Sequence, residues 1–121
     1  MHLILDGVAT NLGLITQVAE LKDWLSAAVE AIGMTVIDGP GVINFPGQPP
    51  GLSGVVILAE SSITVHTFPE TNVVMVDIFS CKDYDVDKAI QMVRDTFRLV
   101  EYGVKVVRRP LDMSRLVPTW R

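Results

Sequence analysis

The sequence has little of what several classes of protein require. Among its 121 residues there is one cysteine, Cys81, and there are two histidines, His2 and His66. One cysteine cannot form an intramolecular disulfide, and these ligands are too few and too far apart in sequence for a metal site. No apolar run reaches the roughly 18 residues of a membrane-spanning helix. The N-terminus also lacks the features of a secretory signal, so we expect a cytoplasmic protein.

Basic charge is also scarce. Lys and Arg number 10 against 14 Asp and Glu, and the formal net charge is -4, which gives little support to nucleic-acid binding. A hydrophobic fraction of 49% with 20% charged residues describes a packed globular protein. We predict one domain over residues 1–121, small enough that dimerisation would help it to bury surface.

Hydrophobic periodicity predicts an α/β fold. Helical spacing covers residues 17–32, with Thr16 as the candidate N-cap, and residues 86–99. A Gly- and Pro-rich segment, residues 39–51, is predicted to be a long loop. Strands are predicted at residues 2–6, 34–38, 54–59, 62–67, 73–79 and 102–107. This order favours a two-layer α/β sandwich, with a mainly antiparallel sheet and two helices on one face.

The two central β-rich runs are separated only by Glu60 and Ser61, which predicts a hairpin with these residues at its turn. A two-residue turn requires positive φ, which Glu and Ser adopt poorly, so we expect backbone strain there. In that register Ser53 and His66 are diagonal neighbours on one face, roughly 7–8 Å apart between backbones. Cys81 would join them if the next strand pairs alongside the hairpin.

A strained Glu60–Ser61 peptide near a hydroxyl and a base suggests self-cleavage. Attack of the Ser61 hydroxyl on the Glu60 carbonyl carbon would replace the amide by an ester. Removal of the Ser61 α-proton would then expel the Glu60 carboxylate. The resulting dehydroalanine hydrolyses to a pyruvoyl group, so that the products are residues 1–60 and a chain, 61–121, capped by that group.

These residues resemble a known family. The run from Ala59 to Glu70, with Glu60–Ser61 and Val65-His66-Thr67-Phe68-Pro69-Glu70, is similar to S-adenosylmethionine decarboxylase in its short prokaryotic form. The segments 52–56 and 76–81 and the chain length extend the resemblance. It implies that Ser61 becomes the pyruvoyl group, that His66 accepts a proton in processing with help from Ser53, and that Cys81 is the proton donor in decarboxylation.

The resemblance also implies a substrate site and an assembly. The pyruvoyl ketone would form a Schiff base with the substrate amine and withdraw electrons as carbon dioxide leaves. Glu70 would hold the ribose hydroxyls, and Phe45 and Phe68 would contact the substrate. Prokaryotic members of the family are homodimers of processed protomers with helices outside and sites near the interface, so we expect a cytoplasmic homodimer.

Several positions depart from the family pattern. Ser62 stands in place of a histidine, Gly47 in place of an aromatic residue that stacks on adenine, and Lys82 in place of a glycine. These changes affect substrate binding more than self-cleavage, and two alternatives stay open at this point. The first is a pyruvoyl-dependent decarboxylase of L-ornithine or L-arginine. The second is a paralogue that no longer cuts itself and acts as a binding or regulatory subunit.

Overall fold

The structure, a computed structural model, describes residues 1–111 and residue 115, so the last part of the predicted domain lies outside the described residues. The strands within them are β1 (His2–Ala9), β2 (Val36–Phe45), β3 (Gly51–Leu58), β4 (Ser61–Phe68), β5 (Val73–Ser80) and β6 (Leu99–Val107). The helices are α1 (Leu12–Thr16), α2 (Val18–Ala31) and α3 (Val86–Phe97). No helix in this part of the chain is long and apolar enough to cross a membrane.

The six strands form one sheet in the order β2-β3-β4-β5-β1-β6. Every pairing between these strands is antiparallel. The segment from β2 to β5 is a meander of consecutive hairpins, and β1 then pairs with both β5 and β6. The predicted α/β fold with an antiparallel sheet is therefore confirmed.

Burial alternates along the central strands, as expected when a sheet is covered on one face. In β3, Leu52, Val56 and Leu58 are buried, whereas Val55 and Ile57 between them are exposed. The buried set packs with side chains from all three helices in one hydrophobic core. All helices therefore lie on one side. The uncovered side, which we call the open face, carries Phe45 and Ile43 of β2, Ser53, Val55 and Ile57 of β3, Ser62, Thr64, His66 and Phe68 of β4, and Met75, Asp77 and Phe79 of β5.

The prediction of Thr16 as a helix N-cap is wrong. Thr16 is the last residue of α1, a short helix that the hydrophobic pattern did not indicate, and its hydroxyl donates to the Leu12 carbonyl oxygen. Gln17 is the N-cap of α2, with extended backbone and no capping hydrogen bond from its side chain. The extra turn of helix forms because Leu14 and Ile15 bury their side chains in the core.

The predicted long loop over residues 39–51 is also wrong, because β2 continues through its Gly and Pro residues to Phe45. The register with β3 shifts between Val36, Asp38 and Gly41, and Gly39 has a φ of 94° in this irregular stretch. Proline is tolerated there since β2 is an edge strand and the missing N–H removes no essential sheet bond. Only residues 46–50 connect β2 to β3.

The central hairpin turns one position earlier than predicted. Ala59 and Glu60 form the turn, Leu58 pairs with Ser61, and Ser53 lies directly opposite His66 rather than diagonal to it. Strain is found at the expected segment, because Glu60 has a φ of 66°, in the left-handed region that favours glycine. The corrected register makes Ser61 the first residue of β4.

The second predicted helix ends two residues early. Arg98 adopts a left-handed conformation, with a φ of 52°, and closes α3 as its C-cap. The chain therefore enters β6 at Leu99 rather than at residue 102. At the other end of α3, Asp85 is the N-cap and its carboxylate accepts the Lys88 backbone N–H at 3.0 Å.

Candidate active site

Ser61 lies immediately after the strained turn and faces the helices. Its side chain is buried, with 7% exposure, in line with its pairing to the buried Ser80 of β5. The peptide that precedes it carries the positive φ of Glu60. A strained peptide bond and a buried hydroxyl are thus adjacent in the chain, which is the requirement for an attack of that hydroxyl on its own backbone.

Within residues 1–111, two groups contact the Ser61 hydroxyl. It lies 2.8 Å from the sulfur of Met34, and it is 3.1 Å from the Ala59 carbonyl oxygen, to which it can donate. Neither group is a base at neutral pH. The proton that the hydroxyl must lose during attack therefore has no acceptor in these two contacts.

The Glu60 carbonyl, which the attack would convert to an oxyanion, is already held by a donor. The Cys81 backbone N–H donates to the Glu60 carbonyl oxygen at 3.0 Å. A fixed backbone N–H aimed at this oxygen polarises the carbonyl and stabilises negative charge that develops on it. The thiol of Cys81 is free and partly buried, so it comes to the same end of the hairpin as Ser61.

Ser53 and His66 form a second group on the open face. The Ser53 hydroxyl and the His66 Nδ1 are 3.0 Å apart, within hydrogen-bond distance. The His66 ring is exposed. Both residues line an open groove of about 340 Å³, together with Gly41, Ile43, Gly54, Val55 and Thr64. Its volume is within the range of small-molecule sites, and most of its walls are apolar.

Two aromatic rings lie beside this groove. The rings of Phe45 and Phe68 are 5.9 Å apart between centroids and inclined by 59°. The Phe45 ring covers Gly51, and a Cβ atom at that position would displace the ring from its present place. Glu70 is exposed in the turn that follows β4. These residues place an apolar platform and a carboxylate at the same end of β4 as His66.

The predicted site residues therefore fall into two groups. The turn-end group is Glu60, Ser61 and Cys81, and the open-face group is Ser53, His66, Phe45, Phe68 and Glu70. His66 is five residues from Ser61 along β4, which is roughly 17 Å at about 3.4 Å per residue, and the two side chains point to opposite faces. The expectation that Cys81 joins Ser53 and His66 is therefore not met within one chain.

Two contacts at the site were not anticipated from the sequence. Met34 touches Ser61, although nothing in its sequence context indicates this. The fully buried Thr67 donates to the Ile15 carbonyl oxygen at 2.8 Å and accepts the Leu52 backbone N–H at 3.0 Å. Thr67 thus links α1 to both hairpin strands beside Ser53 and His66. The only sequence signal of its importance was its position within the run from Ala59 to Glu70 that resembles the family.

The turn-end group has the features of a self-processing enzyme. A hydroxyl follows a strained peptide, the carbonyl of that peptide accepts a fixed N–H, and a free thiol lies close by. The residues present also fit a pyruvoyl group, because the group would arise from Ser61 itself and needs no separate pocket.

Comparison with known proteins gives the family. The family model described as S-adenosylmethionine decarboxylase matches residues 1–110. The S-adenosylmethionine decarboxylase proenzyme of Synechococcus sp. (strain WH7803) is 30% identical over 105 residues, covering 86% of this chain and 80% of the relative. That of Aquifex aeolicus (strain VF5) is 34% identical over 83 residues, covering 69% and 59%. The chain belongs to the S-adenosylmethionine decarboxylase family, in its short prokaryotic form.

A solved structure supports the fold. The crystal structure of the adenosylmethionine decarboxylase from Aquifex aeolicus VF5 superposes with a TM-score of 0.70, at 22% identity, over 92% of this chain and 94% of that one. The resemblance stated from the sequence is thus confirmed, and so are the predicted pyruvoyl-dependent carboxy-lyase and its pyruvoyl cofactor. The ornithine, arginine and non-processing alternatives are not favoured.

Proposed function

We propose that this chain cuts itself between Glu60 and Ser61, and that the processed enzyme decarboxylates S-adenosylmethionine for polyamine synthesis. The observation that carries the proposal is the arrangement at the turn, where the buried Ser61 hydroxyl follows a peptide held in the left-handed region. Family membership supports the reaction and the substrate. The product, decarboxylated S-adenosylmethionine, is the aminopropyl donor for spermidine.

The self-cleavage steps follow from the residues at the turn. The Ser61 oxygen loses its proton and bonds to the Glu60 carbonyl carbon, the peptide nitrogen gains a proton, and the C–N bond breaks to leave an ester. During attack the Cys81 N–H holds the oxygen that becomes negative. Loss of the Ser61 α-proton then expels the Glu60 carboxylate. Water replaces nitrogen in the remaining dehydroalanine, which releases ammonia and leaves the ketone.

Decarboxylation uses both groups of residues. The pyruvoyl carbonyl supplies the electron sink for loss of carbon dioxide. The Cys81 thiol returns a proton to the α-carbon of the substrate, a general-acid role that a thiol can fill. The Phe45 and Phe68 rings offer a surface for the adenine base, and the Glu70 carboxylate can accept hydrogen bonds from the ribose hydroxyls.

We also propose that the enzyme is a homodimer that pairs through the open face. This face exposes large apolar side chains, among them Ile43 with 68% and Ile57 with 43% exposure. Exposed apolar surface of this extent is typical of an interaction site. A second copy packed on the open face would bring the open-face group of one protomer to the turn-end group of the other, which explains why the two groups are separated within one chain.

A cytoplasmic location belongs to the same proposal. The thiol of Cys81 must stay reduced to donate a proton, and a reducing compartment keeps a partly buried free cysteine in that state. The cytoplasm provides this environment.

The test measures cleavage and decarboxylation on the same preparations. Ser61→Ala should remain an intact chain and release no carbon dioxide from carboxyl-labelled S-adenosylmethionine. Ser62→Ala is the matched control, because its hydroxyl is next in sequence but lies on the opposite face. It should be cleaved and active. An active Ser61→Ala protein would overturn the mechanism, and a wild-type enzyme that releases carbon dioxide only from ornithine or arginine would overturn the substrate.

A further inference from the structure

Met34 occupies a fixed position between α2 and β2. It follows Gly33, whose φ of 70° reverses the chain after the helix, and its backbone N–H donates to the Val29 carbonyl oxygen at 3.2 Å. Its side chain is partly buried and packs against the hydrophobic core. The backbone and the core together restrict where its thioether can lie.

This thioether is in close contact with the atom that would attack. The distance between Met34 Sδ and Ser61 Oγ is 2.8 Å. Thioether sulfur is only a weak hydrogen-bond acceptor, so the Ala59 carbonyl oxygen at 3.1 Å is the better partner for the hydroxyl proton. The contact with Met34 is therefore mainly steric, and the side chain fills space into which the hydroxyl would otherwise rotate.

The same segment also holds the turn. The Thr35 carbonyl oxygen accepts the Ala59 backbone N–H at 2.9 Å. Two consecutive residues, Met34 and Thr35, thus contact the nucleophile and the turn on either side of Glu60. A shift of this connection would change the position of the Ser61 hydroxyl relative to the Glu60 carbonyl carbon.

We propose that Met34 is a positioning residue for self-cleavage, which restricts the Ser61 hydroxyl to orientations from which it can attack the Glu60 carbonyl. The inference rests on the proposed function, since it concerns the attack that forms the ester. Met34 does not take the proton, because a thioether is not a base at neutral pH. Its contribution comes from orientation, and small losses of orientation lower the rates of such intramolecular attacks substantially.

The experiment follows cleavage from the moment the chain is made. The full chain is produced by cell-free synthesis, synthesis is stopped, and the uncut fraction is measured over time by denaturing intact-mass spectrometry. Met34→Ala should slow cleavage about tenfold through lost positioning. Met34→Leu, which keeps the bulk and lacks the sulfur, should stay within about twofold of wild type because the contact is steric.

Met92→Ala is the matched control for stability. Met92 is a second partly buried methionine, packed against the same core from α3. The loss of its side chain should lower the midpoint of thermal unfolding about as much as Met34→Ala does, since both remove the same number of packed atoms. Its cleavage rate should remain that of wild type, because Met92 makes no contact with the turn-end group in the described residues.

Hydroxylamine locates the affected step. Hydroxylamine cleaves esters rapidly. It therefore speeds chain breakage in a variant that accumulates the ester, and it has no effect in a variant in which formation of the ester is the slow step. Added hydroxylamine should leave the slow cleavage of Met34→Ala unchanged.

The possible outcomes distinguish the role of Met34 from the proposed self-cleavage. Cleavage of Met34→Ala at the wild-type rate, or an equal slowing in Met92→Ala, would overturn the role of Met34 while leaving the proposed function intact. Rescue by hydroxylamine would likewise overturn it, because the attack would then be unimpaired. A wild-type chain that is not cut between residues 60 and 61 would overturn the proposed function, and this inference with it.

Discussion

The two ends of the β3–β4 hairpin are organised in different ways. At the turn end the backbone dominates, with a positive φ at Glu60 and a hydrogen bond from the Cys81 N–H to the carbonyl of that residue. At the open-face end side chains dominate, with the Ser53–His66 pair beside the rings of Phe45 and Phe68. One end is suited to breaking a peptide bond and the other to binding a ligand and moving protons.

The two ends of the hairpin also differ in burial. Ser61 faces the core, where its hydroxyl is shielded from water, whereas His66 is exposed on an uncovered sheet face. The shielded hydroxyl is held in a narrow range of positions. The exposed imidazole and its groove can accept a substrate or a second protomer. The homodimer proposed above, paired through the open face, would bring the two ends of different protomers together.

The largest expected effect comes from mixing two inactive variants. Ser61→Ala removes the proposed nucleophile of the turn-end group, and His66→Ala removes the predicted proton acceptor of the open-face group. If the active site is shared between protomers, a mixed dimer contains one site with both groups intact. Co-expression should then restore cleavage, and the chain that is cut should be the one that carries His66→Ala.

Intact-mass spectrometry shows which of the two chains is cut, because the two variants differ in mass. As a control, each variant expressed alone should be uncut or slow to cut. Complete absence of cleavage in the mixed preparation, with mixed dimers present, would show that the two groups do not complement one another across the interface.

A substitution of Cys81 distinguishes the role of its backbone N–H from that of its thiol at the turn end. Cys81→Ala keeps the N–H that binds the Glu60 carbonyl and removes the thiol. Self-cleavage should continue, whereas kcat for decarboxylation should fall by about 10²- to 10⁴-fold, as for loss of a proton donor. Lys82→Ala, at the neighbouring exposed position, should leave kcat near wild type. An uncut Cys81→Ala chain would show that the thiol, rather than the N–H, acts in processing.

A substitution of Phe45 tests whether the aromatic pair at the open-face end binds the substrate. Phe45→Ala removes one ring of the aromatic pair and should raise KM for S-adenosylmethionine about two- to tenfold, the range expected for one aromatic contact. Cleavage should be retained, because a phenyl ring can neither accept nor donate a proton during the attack of Ser61. Tyr102→Ala, on the other side of the sheet, is the control, and an equal rise in KM for that variant would argue against a specific contact.

The smallest expected effect concerns the segment after Cys81. Burial raises the pKa of Tyr84 to about 12, while a backbone hydrogen bond to Leu3 lowers it in part. Because the folded-state pKa lies above the ordinary value of 10.0, the stabilisation is complete below pH 10 and is lost as pH rises towards 12. This contribution to the free energy of unfolding is on the order of 1 kcal/mol.

Urea unfolding of wild type and Tyr84→Phe at several pH values between 9 and about 12 measures this effect. Wild type should lose more stability than Tyr84→Phe over the upper part of that range. Identical slopes for the two proteins would show that the Tyr84 hydroxyl does not titrate abnormally in the folded state.

The sequence was sufficient for the fold class, because hydrophobic periodicity is a local signal. The residues of both groups were named from the motif around Glu60–Ser61, and their roles stay predictions. It was insufficient where packing outweighed local preference. Residues 39–45 read as a loop from their glycines and proline, yet they pair with β3 as an irregular edge strand. Leu14 and Ile15 formed an extra helix because burial stabilises them.

The geometry of the site depended on the position of the turn, which sequence alone placed one residue too late, so that each predicted partner on β4 was two residues away from the observed one. That small difference put Ser53 opposite His66 and Ser61 at the start of β4. The Cys81 N–H bond and the Met34 contact both join segments distant in sequence. No local pattern predicts such contacts, since they depend on how the α2–β2 connection and the end of β5 meet the turn.

Denaturing intact-mass spectrometry of the purified wild-type protein tests whether the chain cuts itself between Glu60 and Ser61. We expect two fragments, residues 1–60 and residues 61–121, the second lighter by one ammonia than a chain that begins with serine. A single chain of 13.3 kDa would contradict it. Two fragments with an ordinary serine at position 61 would show that the ester is hydrolysed and that no pyruvoyl group forms.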